Sequence, residues 1–128
     1  MEDRVKYWIE LSDYDLETAK AMLVSGRLLY VGYMCHQTIE KILKAYISNS
    51  SAVPPPHSHN LTLLAEKCSF FNDLAEDHLD LINILEPLNI EARYPTQKEI
   101  LLKSLTKVKC NEIIKRSLNF QKWVKERL

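Results

Sequence analysis

At 128 residues the chain has the length of one domain, enough to bury a core without disulfide or metal support. Apolar residues at 46% and charged residues at 27% match an ordinary globular protein and exclude extended disorder. With 17 basic and 17 acidic residues, mean charge gives no reason to expect nucleic acid, and two glycines are too few for the turns of a β-sandwich or barrel.

A first helix is predicted over Asp3–Val24. Trp8, Leu11, Asp15, Ala19 and Met22 share one face, and Val5, Trp8, Ile9, Leu16, Ala19 and Leu23 form an overlapping stripe at helical spacing. Gly26 is placed to end it in the left-handed conformation. The opening residues lack the apolar run of a signal peptide, and no stretch approaches a membrane span, so a cytoplasmic, non-membrane protein is expected. The short connection predicts that the next helix packs antiparallel. It is expected over Leu28–Ile47, with Tyr30, Tyr33, Met34, Ile39, Ile42, Leu43 and Tyr46 apolar and a polar row of His36, Gln37, Glu40, Lys41 and Lys44. Ser48–Ser51 breaks it, and Pro54-Pro55-Pro56 forces extended backbone, too short a linker to divide two domains.

A short third helix is expected from His59 or Asn60 to Cys68, and a fourth from Asn72 to Leu85, with Leu74, His78, Leu81, Ile82 and Leu85 in register. Pro87 ends it, and Asn89–Pro95 reads as a loop. The last helix is predicted from Thr96 to Glu126 without interruption, since no Gly or Pro intervenes and Thr96 with Glu99 fits a capping box. Leu101, Leu105, Val108, Ile113, Phe120 and Val124 supply its apolar surface. The sum is one all-α domain over 1–128.

Charge is unevenly spread: residues 1–25 carry six acids and three bases, 66–91 seven acids and one base, and 96–128 nine bases and three acids. The basic end is either a binding surface or the neighbour of acidic helices in a bundle. Cys35, Cys68 and Cys110 are dispersed and odd in number, the usage of a reducing compartment. His57 and His59 have no further His or Cys nearby, so no metal site and no cofactor are expected. There is no Gly-rich phosphate loop, and Cys35 with His36, adjacent on a helix, do not face each other.

Two features bear on binding. Gln37, Lys41 and Lys44 follow i, i+4, i+7 spacing, with Glu40 and His36 alongside; the lysines suit a phosphate and Gln37 a base or ribose, or the row is a solvated face. Arg93 and Tyr94 precede a helix start, where free N–H groups favour anions and an Arg can hold phosphate bidentately. The alternative is an ion pair of Arg93 with Glu86 or Asp13.

These segments, taken in order, resemble the HEPN family. Trp8-x6-Asp15-Leu16-x2-Ala19 is similar to its opening, and Tyr33-Met34-Cys35-His36-Gln37-Thr38-Ile39-Glu40-Lys41-x2-Lys44-Ala45 to its signature. Pro56-x2-His59-Asn60-Leu61-x2-Leu64 and Ala92-Arg93-Tyr94-Pro95 resemble two later elements. The resemblance implies a five-helix, mostly up-and-down antiparallel bundle that forms homodimers, and pairing with a small nucleotidyltransferase, often as a toxin–antitoxin pair. Many relatives are metal-independent ribonucleases whose motif is Arg, a polar residue, three to five residues and then His. Here Arg93 is followed by Tyr94 through Ile100 without a His, and Arg27 is nine residues before His36.

The expectation is therefore a non-catalytic, nucleotide-associated module with no catalytic residues. Gln37, Lys41, Lys44, Arg93 and Tyr94 would bind nucleotide or RNA phosphate, supported by His36, Glu40 and His59. A ribonuclease with a non-standard site, using His36 or His59 with Arg93, is the alternative; a structural helical adaptor is the second. The motif residues are expected to converge on one cleft.

Overall fold

A computed structural model of the chain describes residues 2–89 and 95–128, the side chains of 95–98 excepted. The described residues are helical, without strands: α1 (Asp3–Val24), α2 (Leu28–Ser50), α3 (Leu61–Glu66), α4 (Glu76–Leu85), α5 (Pro95–Ser104) and α6 (Lys107–Lys125), with single 3-10 turns at Phe71–Asp73 and Glu86–Leu88. This is the all-α bundle the periodicity predicts.

α1 ends where Gly26 adopts φ +77°, a left-handed conformation that costs a side-chain-bearing residue about 1–2 kcal/mol. Arg27 N–H then reaches Met22 O at 2.9 Å and Gly26 N–H reaches Leu23 O at 3.1 Å, closing the helix with paired backbone bonds. The tight corner sends α2 back antiparallel along α1. α2 is the axis of the molecule: 14 of its 23 residues are buried, and it touches α1, α3, α4, α5 and α6. Val31, Cys35, Ile39 and Ile42 join Leu16, Ala19, Ile113, Phe120 and Val124 in one core. Gly32 is there because a Cβ would come within 2.9 Å of Leu88, so the 3-10 turn after α4 lies directly on α2.

Three predicted boundaries change. α2 runs to Ser50, past the predicted end at Ile47. Residues 72–75 do not join α4, which begins at Glu76 with His78 Nδ1 accepting from Ala75 N–H at 3.1 Å. The predicted final helix is two helices. Thr106 is extended (φ −105°, ψ 164°) and its hydroxyl accepts from Lys109 N–H at 3.1 Å, so a side-chain cap, not a Gly or Pro, starts α6 afresh. Thr96 of the predicted capping box lies outside the described side chains.

A buried polar bridge fixes α1, α2 and α6 together: Ser12 Oγ donates to Thr38 O at 2.7 Å and accepts from Gln121 Nε2 at 3.0 Å. The basic end of the chain does meet acidic helices, through Arg116–Asp77 (3.0 Å) and Lys125–Asp13 (2.6 Å). Lys103, Lys107, Lys109, Lys115 and Lys122 make no ion pair among the described residues. The three cysteines are free and buried, and burial pushes the Cys35 and Cys68 thiols up to about 12.

Candidate functional site

The polar row of α2 faces inward. His36, Gln37, Glu40 and Lys44 are all buried, Lys44 at 5% exposure, so the solvated-face alternative does not hold. A buried charge requires an opposite charge and hydrogen bonds. Glu40 supplies them, as the hub of a cluster drawn from α1, α2 and the segment before α3. Its Oε2 accepts from Lys44 Nζ at 3.1 Å and lies 3.8 Å from Lys41 Nζ. Its Oε1 is 2.9 Å from His59 Nδ1, across 19 residues of chain. Lys41 Nζ donates to Gln37 Oε1 at 2.7 Å and lies 3.7 Å from Asp15 Oδ2 of α1. Lys44 Nζ is also 5.5 Å from the Trp8 ring centroid, an added cation–π contact.

The electrostatics follow from this geometry. Burial raises the Glu40 carboxyl, but the His59 bond and the Lys44 and Lys41 ammoniums outweigh it, and the net shift is down. Burial dominates at Asp15 and raises it, with Lys41 opposing. Burial also dominates at His36, which falls to about 4 and is neutral at pH 7. His36 Nδ1 is 3.4 Å from Gln37 Nε2 and 3.9 Å from Glu40 Oε1, while Nε2 has no partner among the described residues. The cluster opens to solvent most at His59 (57% exposed), with the Lys41–Asp15 pair partly exposed beside it. Glu40 accepts from His59 Nδ1–H and so orients a ring that reaches solvent.

Gln37, Lys41, Lys44, His36, Glu40 and His59 thus come together. Arg93 and Tyr94 lie outside the described residues, so their convergence with the row is not part of this geometry. Of the two acids considered for Arg93, Asp13 accepts from Lys125 and Gln121, and Glu86 Oε1 accepts from Thr62 N–H. Asp15 and Trp8 are cluster members that sequence reasoning left out. Their signal was present: Asp15 shares the apolar face of α1 with Trp8 and Leu11, and a carboxylate on such a face needs a cation opposite. His78, the remaining helical histidine, caps α4 and packs on Phe120 and Trp123. No three His, Cys, Asp or Glu side chains among the described residues are arranged to hold a metal ion.

The HEPN domain model matches residues 5–127, nearly the whole chain. The chain belongs to the HEPN family. The quoted HEPN motifs supply the cluster described above. The bundle is similar to a crystal structure of TT1696 from Thermus thermophilus, with TM-score 0.85 and 20% identity over 99% of this chain and 100% of that one. It is also similar to the crystal structure of ST0689, an archaeal HEPN homologue, with TM-score 0.73 and 18% identity over 98% of both chains. At these identities the likeness concerns the HEPN fold. No curated protein sequence matched. No helix among the described residues is long and apolar enough to cross a membrane.

Proposed function

We propose that this HEPN chain is a non-catalytic, nucleotide-associated module of the cytoplasm. It forms a homodimer, pairs with a small nucleotidyltransferase in a toxin–antitoxin-like couple, and takes nucleotide or RNA phosphate at the mouth of the Glu40 cluster. The supporting observation is that Glu40 gathers Lys41 and Lys44 of its own helix and His59, 19 residues further on, around one partly open point. Lys41 and His59 form the mouth, Gln37 and Lys44 back it, and Arg93 and Tyr94 are the further residues that the HEPN resemblance assigns to phosphate and base. Within the cluster Asp15 and Glu40 balance Lys41 and Lys44, so a phosphate needs the further cation that Arg93 brings.

The histidines favour binding over turnover. Metal-free RNA cleavage needs a base for the 2′-hydroxyl and an acid for the leaving oxygen, each contributing roughly 10²–10⁴-fold. His36 is buried and neutral, and His78 is spent on a cap and aromatic packing. One observation favours the ribonuclease alternative: Glu40 holds the exposed His59 ring at 2.9 Å, the way a carboxylate orients a catalytic imidazole.

Calorimetric titration with ATP tests the binding reading. Binding by wild type and about tenfold weaker binding by Lys41→Ala or Arg93→Ala are expected. No heat and no shift in melting temperature would leave a structural adaptor. A time course of labelled RNA in chelator tests the alternative, which requires robust cleavage that disappears in His59→Ala and Arg93→Ala.

A further inference from the structure

The break between α5 and α6 makes a corner whose surface differs from the rest of the bundle. A cavity of about 220 Å³ opens there, floored by Ile84, Pro87, Leu88, Leu101, Leu105 and Ile113, with Ser104 and Lys109 also lining it. Ile100, Leu102 and Val108, next in sequence to the lining residues Leu101 and Lys109, are exposed, Val108 at 81%. Exposed apolar side chains gathered at one corner mark an interaction surface more than chance placement does. Lys103, Lys107 and Lys109 are interleaved with them, exposed and without an ion pair among the described residues. Ser104 is already satisfied, donating to Leu101 O at 2.8 Å, so the polar requirement at the cavity comes from the lysines alone.

We infer that this corner is a docking site for an acidic segment of a partner protein, one that inserts an apolar side chain into the cavity between rims of lysine. Three observations select that occupant. The volume is below the roughly 300–1,000 Å³ of small-molecule sites and suits one or two apolar side chains. The lysines make no ion pair among the described residues, and a polar rim of opposite sign around an apolar anchor is the usual anatomy of an interface. Among the described residues the lining holds no aromatic ring on which a base could stack, which disfavours single-stranded nucleic acid. A second copy of this chain docking corner to corner would bring like charges together. The corner shares no residue with the Glu40 cluster, so either site can fail without the other.

The test uses the full chain and an acetylated hexapeptide with a Leu-Phe core between paired glutamates. Titration followed by amide chemical shifts is expected to perturb residues of α5 and the first turns of α6. Val108→Asp, at a side chain that supports nothing else, and the double variant Lys107→Glu/Lys109→Glu should each weaken binding about tenfold. Circular dichroism confirms that both remain folded. A control peptide with lysines for glutamates should not bind. The inference is overturned if the acidic peptide leaves the corner unperturbed at about 1 mM, an affinity near −4 kcal/mol. It is equally overturned if the variants bind like wild type, or if octanoate, a uridine oligonucleotide or phosphatidylglycerol vesicles perturb the corner and the peptide does not.

Discussion

Replacing Glu40 with Gln keeps the shape of the hub and removes its charge. The Lys44 ammonium, at 5% exposure, is then buried against a neutral amide, 5.5 Å from the Trp8 ring. Removing one partner of a buried ion pair typically costs 3–5 kcal/mol, and His59 can still donate to the Gln carbonyl, so a loss of about 3 kcal/mol is expected. Lys44→Met leaves Glu40 with Lys41 at 3.8 Å and His59 at 2.9 Å, and should cost less, about 2 kcal/mol. The double variant removes both charges and should be destabilised by well under the sum, giving a coupling of about 2 kcal/mol. Urea unfolding of the four proteins measures this. In a chain of this size about 3 kcal/mol lowers the melting temperature by roughly 10 °C. A loss below about 1 kcal/mol for Glu40→Gln, or additive single variants, would refute the placement of Glu40 as a structural hub.

His36 titrates near 6.5 when unfolded but about 4 in the fold, so the unfolded chain binds more protons between these values. Stability should fall as pH drops from about 6.5 to 4, by about 3 kcal/mol in all, and a His36→Gln variant should lose that slope; Glu40, whose carboxyl is lowered, adds a further loss on acidification below about 4.5. Gly26→Ala should cost about 1–2 kcal/mol in urea melts from backbone strain alone, since nothing lies within 4 Å of the new Cβ. An unchanged midpoint would mean the corner is remade. Thr106→Ala should cost about 1 kcal/mol by removing the cap of α6, with Thr106→Ser near neutral; equal losses in both would point to the methyl group instead.

The helices were legible in the sequence because apolar spacing and breakers coincide. Asp3–Val24 is bounded as its stripe and Gly26 predict, and Asn60 starts α3 by accepting from Leu63 N–H at 3.0 Å. The division at Thr106 was not legible, because a threonine within a long periodic run reads equally well as surface or as cap, and only the turn of the chain decides. The composition of the candidate site was legible, through Gln37, Glu40, Lys41, Lys44 and His59. Its burial was not. Polar spacing on a helix gives a face but not what covers it, and here α1, His59 and α6 cover nearly every side of α2. Asp15 shows the missing step, since the partner of Lys41 lay on another helix at a sequence distance no local pattern reports.

That central position of α2 governs the order in which the chain can become stable. The α1–α2 hairpin is local and quick to close. Yet two sides of α2 still lack their covering when it forms. Glu40 waits for His59, Ser12 waits for Gln121, and Cys35 with Ile39 waits for Phe120 and Val124 of α6. The α1–α2 hairpin alone therefore holds two ammoniums, two carboxylates and an apolar stripe with no finished interior to receive them. The fold locks when α6 docks, and a chain without α6 would leave bare the side of α2 that α6 covers.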